Sequence, residues 1–207
     1  MAFIKQQSSQ IIEQNERKHD RDCANLVLQL SDPSPTARRW AARDLADCPD
    51  SSGALVEQLQ REQDSSVRGI ILTTLTHLGD EEAVSGLVNC LRSEDASLRN
   101  EAIEAMKFLP SEVAPIMGQL LKDPDPDVRI FAVNVLESLR HEQVEEWLRE
   151  VIEHDAHVNV CASAVDLLGE VGSTYSWEAL ENLKVRFPDE PFISFAADLA
   201  LKRIRST

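Results

Sequence analysis

The sequence is poor in the residues that most chemistry needs. It has seven glycines in 207 residues, too few and too scattered to form a phosphate-cradling loop. No serine stands in the strained strand-to-helix turn of a nucleophile elbow. Aromatic residues make up only 5% of the chain. No apolar run approaches the ~20 residues that a membrane-spanning helix requires. Basic residues are also scarce: 21 Lys and Arg stand against 36 Asp and Glu, for a formal net charge of −15. Such a balance argues against binding to nucleic acid or to anionic membranes, because both present negative charge. The four cysteines, Cys23, Cys48, Cys90 and Cys161, lie far apart and suggest no zinc knuckle or redox pair. They are expected as apolar fillers in a reducing compartment. The N-terminal MAFIKQQSSQII has no long apolar region of the secretory kind. A soluble, cytoplasmic protein is the expectation.

What the sequence does have is a repeat. Arg38, Arg68, Arg99 and Arg129 follow one another at intervals of 30, 31 and 30 residues, and the frame continues through Cys161 and Ile193. Three residues after each anchor stand Ala41, Ile71, Ala102, Ala132, Ala164 and Ala196. Seven after stand Leu45, Leu75, Met106, Leu136, Leu168 and Ala200. The positions one before and four after are apolar as well. Five after, on the opposite side of a helix, stand Arg43, Thr73, Glu104, Asn134, Asp166 and Asp198, all polar. An apolar helical stretch precedes each anchor, and turn signals such as SDPSP, EQDSS and DPDPD separate the two halves. The unit is therefore helix–turn–helix, and such a unit hides its apolar face only by stacking on neighbours. The spacing predicts an all-α, right-handed α-solenoid of about six units, near 22–50, 51–80, 81–110, 111–143, 144–175 and 176–207. Residues 1–21 lie outside the frame and read as a capping helix or a flexible segment ahead of a single repeat domain, 22–207.

The stretch DPDPDVR invites a second reading. Asp123, Asp125 and Asp127 have the alternate spacing that opens a calcium-binding loop. That loop also needs a glycine at its sixth position and a glutamate at its twelfth, where this chain has Val128 and Asn134. The favoured reading is a helix start, with Asp125 as cap and Pro126 in the first position. His154 and His157, flanking Asp155 in a turn, fall short of the three or four ligands zinc takes from proteins. Neither a metal nor a cofactor is expected, and no catalytic residue is assigned.

The anchors and the alanine-rich second helices resemble HEAT repeats, in particular the short bacterial-type repeats also found in phycobilin lyases. The resemblance covers about residues 22–205 and implies an Asp/Arg ladder between adjacent repeats. By position this ladder is Asp32, Arg38, Glu62, Arg68, Arg99, Asp123 and Arg129. It should fade toward the C-terminus, where Cys161 replaces the arginine and the last unit acts as a cap. The resemblance also implies that the second helices line the concave side. The stripe expected to meet a partner is then Arg39, Trp40 and Arg43, Thr73 and His77, Glu101 and Glu104, Phe131 and Asn134, and Asp166 and Glu170. Trp40, Phe108, Phe131 and Phe195 are expected to pack between neighbouring helices.

Two functions follow. One is a non-catalytic scaffold or adaptor, a monomer, that binds a protein partner with a basic patch. The other, resting on the resemblance alone, is a subunit of a phycobilin-lyase-like enzyme or a chromophore chaperone. A DNA-repair glycosylase built on similar repeats would need a basic groove, which the charge balance disfavours.

Overall fold

The computed structural model describes residues 21–139 and 141–206, so the expected capping or flexible segment at the N-terminus lies outside the described residues save for Arg21. Among the described residues the fold has twelve α-helices and no strand. In chain order they are α1 (Cys23–Gln29), α2 (Pro35–Asp44), α3 (Ser52–Arg61), α4 (Ser65–Leu78), α5 (Glu81–Cys90), α6 (Ala96–Met106), α7 (Pro110–Leu120), α8 (Pro126–Leu136), α9 (Val144–His154), α10 (Val158–Val171), α11 (Trp177–Arg186) and α12 (Pro191–Ser206). This is an all-α solenoid of helix–turn–helix repeats. The chain falls into two compact units, which divide after Ala105.

The turn chemistry explains where the helices begin. Asp22, Ser34, Asp64 and Asp80 each accept a hydrogen bond from a backbone N–H in the first turn that follows. Asp125 does the same for α8: its carboxylate accepts from the N–H of Asp127, and Pro126 occupies the first helical position. The Asp125 N–H in turn donates to Asp123 Oδ1 at 2.9 Å. DPDPD is thus spent on the helix start. Helix α4 ends on Gly79, whose φ of 58° is the left-handed conformation that glycine adopts without strain.

In the N-terminal unit, second helix packs on second helix (α2 on α4) and first on first (α3 on α5). Thr74, buried on α4, donates its hydroxyl hydrogen to the carbonyl of Ala42 on α2 at 2.9 Å, so its polar group is satisfied in the seam. The C-terminal unit repeats the scheme, with α10 between α8 and α12, and α9 against α11. The positions four and seven after each anchor are buried in all six repeats. The frame gives way in the last repeat. Phe192, one before its anchor, is 44% exposed, whereas Ala37, Val67, Leu98, Val128 and Val160 are buried. The register explains how: α12 turns Ile193, Ala197, Ala200, Leu201 and Ile204 inward. This rotation leaves Phe192, Phe195 and Leu199 on an outer arc.

The cysteine expectation is overturned in part. Cys23, at the start of α1, and Cys48, just past the end of α2, form a disulfide with Cα atoms 5.6 Å apart. The helical hairpin brings together two residues that are 25 apart in sequence. Cys90 and Cys161 are free and buried, and burial pushes each thiol up to about 11.

Candidate functional site

Two sets of polar residues recur along the repeats, one at their turns and one on the exposed face of the second helices. At the turns, Arg38 donates to the carboxylate of Glu62 in the next repeat through both Nε and Nη2, each at 2.7 Å. Its Nη1 donates to the carbonyl of Asp32 at 2.9 Å. Arg129 does likewise, to both oxygens of Asp155 and to the carbonyl of Asp123. Thus the residue six before each of these two arginines offers its backbone oxygen to that arginine. The carboxylate the arginine pairs with comes from the following repeat. Arg68 varies the theme, pairing with Asp95 at 2.6 Å and lying 3.5 Å from Glu101. Arg99 donates to the carbonyl of Ser93.

Glu62 is the most deeply embedded of these acids. It accepts from Arg38 and from Gln58, which is itself buried, and from the N–H groups of Gln63 and Asp64. The Arg38 hydrogen bond is the chief cause that brings its carboxyl down to about 2, against the cost of burial.

The ladder does not simply fade at Cys161. The Cys161 thiol lies 3.4 Å from the carbonyl of Asp155, six residues back, the position that Arg38, Arg99 and Arg129 reach in their own repeats. Arg186, from the end of α11, donates to that same carbonyl at 2.6 Å and to the carbonyl of Ile152. A cation from the next first helix therefore replaces the missing anchor at the C-terminus of α9, where positive charge is favoured.

A second series of staples joins the starts of the first helices. Ser52 donates to Asp80 in the N-terminal unit. In the C-terminal unit Glu145 accepts from the Ser173 N–H, the Ser173 hydroxyl and the Ser176 hydroxyl. Burial pushes the Glu145 carboxyl up, but these hydrogen bonds together leave it below its ordinary value. All of these contacts hold the frame.

The exposed face of the second helices carries the stripe. In the N-terminal unit, Arg43 is exposed and its guanidinium lies 5.4 Å from the centre of the Trp40 ring, with Arg39 half-buried beside them. Thr73 and His77 are exposed on α4, the Thr73 hydroxyl donating to the carbonyl of Gly69. Glu104 is exposed on α6, while Glu101 accepts from Ser97 and approaches Arg68, so Glu101 belongs to the ladder as much as to the stripe.

In the C-terminal unit the stripe becomes a groove of about 230 Å³ between α8 and α10. Asn134, Asp166 and Glu170 line it, together with Glu137 and Ser163, over a floor of Val133 and Leu167. No ion pair joins its three carboxylates to a cation among the described residues. Phe131, half-buried one turn away on α8, stands outside this lining. Glu137 stands outside the polar positions that recur in the repeat frame. It is eight after Arg129, a register that faces the next repeat: Gly169, eight after Cys161, approaches Ala200 on α12. Of the four aromatics expected to pack between helices, Trp40 and Phe131 are half-buried, whereas Phe108 and Phe195 are 74% and 71% exposed. Each of the two exposed rings sits at the edge of the repeat frame: Phe108 follows the end of α6, and Phe195 lies on the rotated last helix.

A wider cleft of about 770 Å³ runs between α7 and α9, with Glu146, Glu150, Glu153 and Asp155 along one side. Lys122 and Arg129 reach into it and are paired with Glu150 and Asp155. His154 and His157 do not converge on a common point with an acid: His154 Nδ1 is 3.0 Å from the carbonyl of Glu150, and the backbone N–H of His157 donates to Asp155 Oδ1. Among the described residues no three or more His, Cys, Asp or Glu side chains gather as a metal ion would require.

Comparison with known proteins agrees with the repeat frame. The bilin biosynthesis protein PecE of Nostoc sp. is 28% identical over 153 residues, which covers 72% of this chain and 60% of PecE. The chain thus spans about 60% of the length of the curated relative it matches. Among solved structures, the complex of CpcE and CpcF of phycocyanin lyase from the same genus is 18% identical with a TM-score of 0.39, covering 92% of this chain and 96% of that one. A designed armadillo repeat protein in complex with the peptide (KR)4 is 17% identical with a TM-score of 0.42, covering 88% and 99%. The HEAT-repeat family itself matches residues 24–107 and 113–202. These two stretches hold most of the sequence, and the chain belongs to the HEAT-repeat family.

Proposed function

We propose that the protein is a non-catalytic interaction module, a cytoplasmic monomer that holds a protein partner against the exposed face of its second helices. The observation that carries this reading is the groove between α8 and α10. Glu137, Asp166 and Glu170 converge there with no cation paired to them among the described residues, beside Asn134 and Ser163. A partner segment rich in Lys and Arg complements such a surface, gains on-rate from the attraction and loses affinity as salt rises. The test is fluorescence anisotropy with a labelled Lys/Arg-rich peptide. Neutralising the groove with Glu137→Gln, Asp166→Asn and Glu170→Gln together should weaken binding by about tenfold or more at low salt. Equal binding by wild type and variant would refute the reading.

A second reading has its own support in the similarity to PecE. Here the chain is a subunit of a phycobilin-lyase-like enzyme or a chromophore chaperone. Bilin mixed with the purified protein would then shift its visible absorption, and an unchanged spectrum would remove this alternative.

A further inference from the structure

We propose that Cys23 and Cys48 form a reversible thiol–disulfide latch that fastens the first helix of the repeat array. Helix α1 has seven residues and buries one of them, Leu26, with Leu30 following at its C-cap. Leu28 on the same helix is 72% exposed. Helix α9, by contrast, buries Val144, Trp147, Leu148, Val151 and Ile152. A helix as short as α1 does not persist by itself in water, so its place depends on what ties it down. Among the described residues two ties run from its start to the end of α2: the disulfide to Cys48, and the ion pair between Arg21 and Asp44. The ion pair is partly exposed and is worth little by itself. The covalent bond therefore dominates, and it closes the whole hairpin of the first repeat.

The bond is also within reach of reagents. Cys23 is exposed, whereas Cys48 is 4% exposed. Exchange chemistry is confined to this pair, since Cys90 and Cys161 are buried and their thiols are pushed up to about 11. Closure with a small disulfide such as oxidised glutathione takes two exchanges. The Cys23 thiolate attacks one glutathione sulfur, forming a mixed disulfide and releasing the first glutathione thiol. The Cys48 thiolate then attacks the Cys23 sulfur and releases the second. The two protons of the protein thiols end on the two glutathione molecules, and a dithiol reductant reverses both steps. In a reducing cytoplasm the pair rests as thiols and closes under oxidation, which is the use that paired cysteines most often have there.

The experiment is hydrogen exchange of the full chain, read by mass spectrometry, after equilibration with oxidised glutathione and after reduction with dithiothreitol. Non-reducing peptide mapping should find Cys23 linked to Cys48 in the first sample and Cys90 and Cys161 unmodified. On reduction, amide exchange over residues 22–31 should rise roughly tenfold to a hundredfold, with the helices from α3 onward unchanged. Cys23→Ser, a change at an exposed site, should match the reduced wild type in either buffer. The latch is overturned if the linked peptide never forms, if exchange over 22–31 is the same in both states, or if exchange rises equally through the whole N-terminal unit.

Discussion

The two units bury the same repeat frame and decorate it in different ways. In the N-terminal unit the buried acid is Glu62, held by Arg38 and by a buried Gln58. The first hairpin there is also closed by a disulfide. In the C-terminal unit Asp155 takes the place of Glu62, and where the next arginine should stand a thiol and Arg186 share one carbonyl. The second-helix faces differ more. One begins with Arg39, Trp40 and Arg43. The other gathers Glu137, Asp166 and Glu170 in a groove. Positions that pack between helices change little from repeat to repeat, because any change of volume there is felt by both neighbours. Positions five and nine after the anchor are mostly exposed and are freer to differ. Function in a solenoid is therefore sought where the repeats disagree, and the disagreement here is greatest in charge.

Substitutions in the two units should separate their frames by stability. The largest effect is expected from Glu62→Ala, which strands Arg38 at a part-buried site and should cost about 3–4 kcal/mol in urea unfolding. Asp155→Ala, its counterpart beside Arg129, should cost less, roughly 2–3 kcal/mol, because the Asp155 side chain is slightly more exposed, at 7% against 1% for Glu62. The same acid sets a pH dependence. Glu62 has its carboxyl lowered from 4.5 to about 2, so its contribution is complete above about pH 4.5 and drains away as pH falls toward 2. Wild type should lose roughly 3 kcal/mol from this group across that window, and Glu62→Gln should not. Denaturant midpoints measured at pH 5 and pH 2.5 decide it.

Smaller effects follow. Arg186→Ala, which removes the cation from the end of α9, should cost about 1–2 kcal/mol by thermal or urea unfolding. Asp125→Ala should cost about 1 kcal/mol through loss of the cap on α8. Asp166→Asn, on the exposed stripe, should leave stability within about 0.5 kcal/mol while weakening the basic peptide. A fall in stability of the size expected for Glu62→Ala would show that Asp166 belongs to the frame.

Much of the frame was legible because the apolar period has one physical cause, burial against two neighbours. Ala41, Leu75 and Leu136 lie where the spacing puts them, and Asp125 caps the helix its proline announces. What the repeat could not show depends on contacts outside its register. Cys23 and Cys48 meet because one hairpin brings the start of its first helix to the end of its second, a relation that a count along the chain does not reveal. Arg186 lies on a first helix, out of step with the anchors, yet reaches the carbonyl they would use. Phe192 is apolar like its equivalents, and only the rotation of the last helix exposes it. Of the stripe, the sequence pointed to Asn134, Asp166 and Glu170, and the fold adds Glu137 from the flank of α8.

If the charge of the α8–α10 groove selects the partner, reversing that charge should reverse the choice. Wild type and a variant carrying Glu137→Lys, Asp166→Lys and Glu170→Lys would each be titrated with a Lys/Arg-rich peptide and with its Asp/Glu-rich counterpart, after circular dichroism has shown equal helicity. Wild type should bind the basic peptide alone and the variant the acidic peptide instead, both more weakly as salt rises. A variant that still prefers the basic peptide would contradict the account and move the binding surface away from this groove.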